Sequence, residues 1–352
     1  MKFSVVIPVY NASGTIGRCL ESLAAQTRRP HEIILVDNAS TDKTAEVMRS
    51  FADTHKDLKI LMLSETRRGP APARNRGLRE VTGDAVAFTD ADAFAREDWL
   101  EKLEALYAGG GWDGIGGYYR FWKPQGITAK LQALDMAIPA PFTGTEISGS
   151  HRCLFGQLLG TCNASYRKSA LDRLGGFDEG LSLTGEDMDL SIRAVEGGLR
   201  LLSWHPDVVV WHEPRKTLPG YWKRIFEYRM ILAKLVKKHF QGEALIHIPA
   251  KGILRRRFPA PMMITREFYL LTAAILAVAA AWLFRLLLAV FFAASVVTLF
   301  RFGLDLRRRS DALGMEILPA QVPALVLAEI AKKLFSEAGR IYGSLRYGVL
   351  VV

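Results

Sequence analysis

Residues 86–94 read VAFTDADAF. A short apolar run, Val86 to Phe88, leads straight into two carboxylates, Asp90 and Asp92, separated by one small residue. In a strand, side chains at i and i+2 lean the same way, so both acids converge on one spot. At a separation of about 5 Å and an effective dielectric near 20 they repel by roughly 3 kcal/mol. A positive partner from outside the chain is therefore expected between them.

Upstream, apolar runs of strand length at Phe3 to Val9, Glu32 to Val36, Lys59 to Leu63 and Ala85 to Phe88 are separated by helical periodicity. The helical segments are roughly Ser13 to Ala25, Thr41 to Phe51 and Pro72 to Val81, with a fourth, Arg96 to Tyr107, after the last strand. Thr41 or Asp42 suits the N-cap of the second. This β-α-β-α order implies a parallel sheet with helices on its faces, whose ligands bind beyond the carboxyl ends of the strands. Three polar clusters fall at those ends: Tyr10-Asn11, Asp37-Asn38 and Asp90-Ala91-Asp92. No G-x-G-x-x-G follows the first strand, so a dinucleotide site loses its main support.

The chain has 352 residues, of which 49% are hydrophobic, and a formal charge of +10. That balance suggests a membrane part and an anionic partner. The three cysteines, Cys19, Cys153 and Cys162, form no CxxC pair, which argues against zinc and suits a reducing compartment. MKFSVVIPVY has one lysine and an apolar run ending at Pro8, without a small-residue cleavage site, and reads as a first strand rather than a signal peptide.

Residues 108–160 are rich in Gly, Pro and aromatics and show no long periodicity, as in loops that cover a site or in plain irregular structure. A short helix should begin near Glu186 and end at Gly197-Gly198. From Pro214 to Phe258 twelve Lys and Arg face two acids. Tyr221, Ile225, Tyr228, Leu232 and Leu235 there share one helical face, as in a basic amphipathic helix on a membrane or in one packed on protein with a solvated basic face. Residues 268–300 contain one charge, Arg285. As one helix they would run about 50 Å, too long for a single span. With Arg255 to Arg257 before and Arg307 to Arg309 after, two short arms turning near Arg285 fit, either spanning, re-entrant or buried as a soluble hairpin. The tail is amphipathic around Leu325 to Phe335 and again near Ile341 to Leu350. The expected divisions are 1–213, a catalytic domain; 214–260, a basic interfacial region; 261–306, the hairpin; and 307–352, a cytoplasmic surface-bound tail. Because the basic stretch adjoins the hairpin, anionic lipid is a simpler partner than nucleic acid.

Two carboxylates one residue apart at a strand end are suited to hold Mg²⁺ or Mn²⁺ against a diphosphate. Surface acid pairs are common, so D-x-D alone is a weak signal. Taken in order, VVIPVYNASGTIGRCLESLAAQT, ILVDNASTDKT, GPAPARNRGL, FTDADAF, GGFDE and GEDMDL resemble the family-2 inverting nucleotide-sugar glycosyltransferases of GT-A fold, over residues 3 to about 213. The fold implied is α/β, a Rossmann-like, mostly parallel sheet with helices on both faces, here joined to a C-terminal α-helical membrane-associated region.

The resemblance also implies roles. Pro8, Tyr10 and Asp37 would line the nucleobase and ribose pocket, Asp90 would face ribose or metal, and Asp92 would bind the metal directly. Arg74 would reach the nucleotide or form an internal salt bridge. His212, in VVVWHEP, would join the metal or diphosphate, or be structural. Asp187 would be the catalytic base, favoured in its ionised form by a helix N-terminus, with Glu186 or Asp189 as alternatives. The Q-x-x-R-W motif of processive relatives is missing, so single-sugar transfer is expected. The implied activity is transfer from a nucleotide diphosphate sugar, a UDP-sugar foremost, to a lipid-linked or glycan acceptor at the cytoplasmic leaflet of the inner (plasma) membrane. The alternatives are a polyprenyl phosphate acceptor, whose oxygen needs no strong base, and a non-catalytic sugar-nucleotide-binding membrane protein.

Overall fold

The computed structural model describes residues 1–135, 143–181, 184–241, 243–248, 252–257, 262–264, 272, 304–305, 308–315, 317 and 319–351. Two units are distinguished: Met1–Lys123 with Ile138–Glu213, and Pro124–Ala137 with Pro214–Val352.

In the first unit, β1 (Phe3–Val9), β2 (Glu32–Asp37), β3 (Ile60–Ser64) and β4 (Ala85–Thr89) pair in parallel in the order β3-β2-β1-β4. β1, β2 and β4 are continuous apolar runs because they are covered on both faces. The crossovers are α1 (Ile16–Ala24), α2 (Thr44–Thr54) and α3 (Pro70–Leu78), and α4 (Trp99–Gly110) follows β4. The N-cap of α2 is Lys43, without a side-chain cap, rather than the expected Thr41 or Asp42; Asp42 Oδ1 instead accepts the Thr44 N–H at 3.0 Å in the turn leading into the helix.

Beyond β4 the sheet turns mixed. β5 (Ala93–Ala95), β6 (Gly114–Phe121), β7 (Thr145–Glu146), β8 (Asn163–Arg167) and β9 (Leu201–His212) extend it in the order β4-β8-β6-β9-β5, with β7 on β9. β8 is antiparallel to both β4 and β6. β6 lies inside the stretch expected to be irregular. Its glycines mark close approach rather than a turn: a Cβ on Gly117 would lie 2.3 Å from the Val208 carbonyl oxygen, and one on Gly114 2.7 Å from Leu201. α6 (Lys168–Leu174) and α7 (Glu186–Glu196) complete the unit, α7 beginning where the sequence places it.

The second unit contains α5 (Gly126–Asp135), α8 (Leu218–His239) and α9 (Val322–Tyr347). Together α8 and α9 form a close pair. A Cβ on Gly339 would lie 2.4 Å from Phe226 O and one on Gly343 2.5 Å from Met230 O, so small residues let the backbones meet. Trp222 stacks on Phe335 with ring centroids 5.5 Å apart. Met230, Ile231, Leu232, Leu235 and Val236 are buried, whereas Lys223, Lys237 and Lys238 are exposed. This is the packed helix with a solvated basic face, one of the two arrangements its pattern allows. The basic stretch does not continue as helix. β10 (Glu243–Ile248), β11 (Gly252–Arg257), β12 (Met262–Ile264) and β13 (Leu350–Val351) form a second sheet in the order β11-β10-β12-β13, with Arg255 to Arg257 on β11. β10 and β11 pair antiparallel, from Glu243 with Arg257 to Ile248 with Gly252. The two amphipathic pieces expected in the tail lie on one helix, α9, except for the last residues of the second, where Leu350 falls on β13. Apart from Thr272, the apolar run 268–300 lies outside the described residues, and among the described residues no helix is long and apolar enough to cross a membrane.

Candidate active site

The parallel strands reverse direction of addition between β1 and β4, and the crevice at such a switch point opens at their carboxyl ends. Pro8, paired with Val36, is half-buried there, and Tyr10 stands 47% exposed. Both rim loops contain a non-glycine residue in the left-handed region, Asn11 at φ 46° and Ala39 at φ 60°. Hydrogen bonds hold these turns: Asn11 Oδ1 accepts the Thr41 N–H at 2.7 Å, and Asp37 Oδ1 accepts the Ser40 N–H at 3.1 Å. Asn38, buried, donates to the carbonyls of Glu65 and Arg67 and accepts from Gly69 N–H, fixing a third loop beside them. From that loop Arg68 lies over the Tyr10 ring at 4.9 Å and donates to its hydroxyl at 2.7 Å.

Asp90, Asp92 and His212 each offer one ligand atom, all within 4.8 Å of one another. His212 Nε2 is 3.2 Å from Asp92 Oδ1 and 3.9 Å from Asp90 Oδ2. The sheet brings them together, since His212 ends β9 opposite Ala93, the first residue after Asp92. His212 Nδ1 is 2.8 Å from the Glu213 carbonyl oxygen, which only an Nδ1–H satisfies. Nε2 is thereby turned toward the acids, the usual outer-shell arrangement of a metal-binding imidazole. Two hard oxygens and one imidazole nitrogen fit Mn²⁺ or Mg²⁺.

The other oxygen of Asp90 is engaged elsewhere. Arg74, on α3 and 3% exposed, donates through Nη2 to Asp90 Oδ1 at 2.9 Å and through Nη1 to Glu186 Oε1 at 2.7 Å. Burial disfavours its charge, but Asp90, Glu186 and Asp187 outweigh it and raise its pKa. The internal salt bridge, one of the two roles open to Arg74, is formed with both Asp90 and Glu186.

The three acids in the first turn of α7 sit in different settings. Asp189 is fully buried and paired with Arg193 Nε at 2.7 Å, and Glu186 is bound to Arg74. Only Asp187 is partly exposed, at the helix N-terminus behind Gly185, where the dipole favours the ionised form. Gly160 lies beside it: a Cβ there would stand 3.9 Å from both Asp187 Oδ2 and the Trp204 ring, in ordinary contact with each. Cys162 lies among these acids; burial, then Asp90 and Asp187, push its thiol well up, so it stays protonated and offers no thiolate.

Residues 4–175 match the family described as Glycosyl transferase family 2. The glycosyltransferase AglE of Haloferax volcanii is 33% identical over 270 residues, covering 75% of this chain and 80% of that protein. The chain belongs to glycosyl transferase family 2. Among solved structures, the mannosyltransferase PcManGT from Pyrobaculum calidifontis, in complex with GDP-Man and Mn²⁺, is similar with a TM-score of 0.56 at 23% identity, over 98% of this chain and 86% of that one. S. aureus TarS 1-349 in complex with UDP-GlcNAc is similar with a TM-score of 0.50 at 19% identity, over 99% and 93%. Both likenesses concern the fold, which is of GT-A type with a mixed sheet.

In this family-2 transferase, sequence reasoning placed Asn38 in a polar cluster without giving it a role, and it missed Arg68 and an aromatic wall. Tyr119 and Phe121 on β6 lie 6.2 and 6.1 Å from the His212 ring, and Tyr119 lies 6.0 Å from Trp204. Trp204 adopts φ 50°, uncommon for a bulky residue, and donates to the Gly156 carbonyl at 2.8 Å. The signal for Arg68 was available in the consecutive arginines Arg67-Arg68 just after the third strand. The wall depends on a strand that its glycines disguise.

Proposed function

We propose that this transferase moves one sugar, with inversion, from a nucleotide diphosphate sugar to a lipid-linked or glycan acceptor. The observation that supports the reading is the grouping of Asp90, Asp92 and His212 beside Arg74, which also binds the residue preceding Asp187. Asp92, Asp90 and His212 would hold Mn²⁺ or Mg²⁺. That ion, when bound, neutralises charge on the diphosphate. Pro8, Tyr10 and Asp37 would receive the nucleoside. The Asp187 carboxylate accepts the proton of the acceptor hydroxyl while its oxygen forms the new bond to the anomeric carbon. The bond from that carbon to the diphosphate oxygen breaks on the opposite face, and the electron pair leaves with the nucleoside diphosphate. One displacement inverts the configuration.

A UDP-sugar is the favoured donor. A membrane hairpin over 268–300 and the basic stretch before it would attach the enzyme to the inner (plasma) membrane, with the catalytic unit cytoplasmic and the acceptor at that leaflet.

The test is a donor screen by UDP or GDP release, with and without extracted lipid acceptor. Acceptor-stimulated release that is lost in Asp92→Asn supports the reading. Donor binding without release under any acceptor would indicate the non-catalytic binder, and turnover on polyprenyl phosphate that survives Asp187→Asn would indicate a phosphate nucleophile.

A further inference from the structure

α9 presents two unlike faces. Small and polar residues, among them Ala328, Ser336, Gly339 and Gly343, are buried along one. Along the other, Leu327, Ile330, Leu334, Ile341 and Leu345 are 68, 46, 66, 51 and 79% exposed. Their spacing of 3, 4, 7 and 4 residues keeps them in one row, with exposed Ala338 in the gap. At 1.5 Å per residue the row is about 27 Å long. A single exposed leucine is ordinary, but a helix-long aliphatic row facing solvent marks a contact surface.

We propose that this row is a membrane-contact surface, seated at the headgroup–acyl boundary of an anionic bilayer. The inference deepens the membrane attachment proposed above and rests on it. Charge favours lipid over a second copy. Both acids of α9 are engaged, Glu329 with Lys332 at 2.6 Å and Glu337 with Arg340. Exposed Lys333 and Arg346 flank the row. α8 runs parallel to α9, since Phe226 and Met230 meet Gly339 and Gly343 in turn, so exposed Lys237 and Lys238 lie toward the same end as Arg346. A second copy laid parallel would set these cations against their like, and one laid antiparallel would meet them with acids already engaged on its own α9, whereas acidic headgroups complement them. Tyr342, 47% exposed beside the row, has the amphipathic ring common at bilayer interfaces. Continuity points the same way: the 33-residue apolar run 268–300, with a single charge, precedes this helix within the same unit.

The experiment uses the full chain with one added cysteine, Leu334→Cys or Leu345→Cys, labelled with bimane. Labelling of the unsubstituted chain is subtracted. Lys56→Cys, on an exposed side chain of the other unit, is the control. Samples are mixed with vesicles of equal parts phosphatidylglycerol and phosphatidylcholine bearing brominated acyl chains. The expected result is a blue shift and about twofold quenching at 334 and 345, weaker with phosphatidylcholine alone, and none at 56. Absence of quenching at 334 and 345 overturns the proposal. So does a label already shielded without lipid: concentration dependence would then reveal a second copy, and its lack would reveal cover by the chain's own apolar run. UDP release on the same samples separates the two readings. Turnover without quenching removes this surface and leaves the transferase, and quenching without turnover does the reverse.

Discussion

Arg74 and Glu186 meet at 2.7 Å although 112 residues separate them, and neither side chain is more than 7% exposed. The same guanidinium binds Asp90, so one buried cation joins α3, the end of β4 and the start of α7. Removing one partner of a buried pair leaves an uncompensated charge. Arg74→Met should therefore destabilise the protein by about 3–5 kcal/mol in urea unfolding and weaken Mn²⁺ binding as well. Arg74→Lys keeps the charge but loses the two-armed geometry, and should fall between. Wild-type stability in Arg74→Met would show that the pairs contribute nothing.

His212→Ala should lower Mn²⁺ affinity by calorimetry. Loss of an outer-shell partner alone costs roughly 10–100-fold, and loss of a ligand should cost at least as much. Unchanged affinity would remove His212 from the site.

Asp187 and Asp189 share a helical turn but should fail differently. Asp187→Asn keeps its size and its exposed setting, so donor binding and unfolding midpoint should hold while turnover on a hydroxyl acceptor falls by about 10²–10⁴-fold. Asp189→Asn breaks a buried pair with Arg193, so its main effect should be on stability. Reversal of these two patterns would reassign the base.

Acid should find Glu32. Burial raises its pKa, but Lys59, Ser4 and Thr82 outweigh burial and hold it at about 2, against an ordinary 4.5. A depressed carboxylate stabilises fully above the unfolded value, and that contribution fades as pH falls from about 4.5 toward 2. Urea midpoints measured between those limits should drop with pH in the wild type and drop less in Glu32→Gln. Equal slopes would contradict the assignment.

The first four strands were legible to within a residue or two because each is a continuous apolar run, buried on both faces in β1, β2 and β4 and half-buried in β3. Asp90 and Asp92 were legible by position, at the end of such a run. β6 was not, since Gly114, Gly116 and Gly117 resemble a loop until Leu201, Leu159 and Val208 are seen packed against them. Arg74 could be given two roles from sequence, because its choice depends on Glu186, 112 residues away. Asp187 and Asp189 could not be separated either: burial, not spacing, divides them.

The position of His212 has a thermodynamic consequence. It pairs with Ala93 on one side and Phe121 on the other, so its backbone is immobilised by main-chain hydrogen bonding when the sheet forms. The ordering entropy of that imidazole is thus expended once per folding event rather than once per catalytic cycle. By linkage, an ion that this geometry selects would in return raise the melting temperature of the whole sheet.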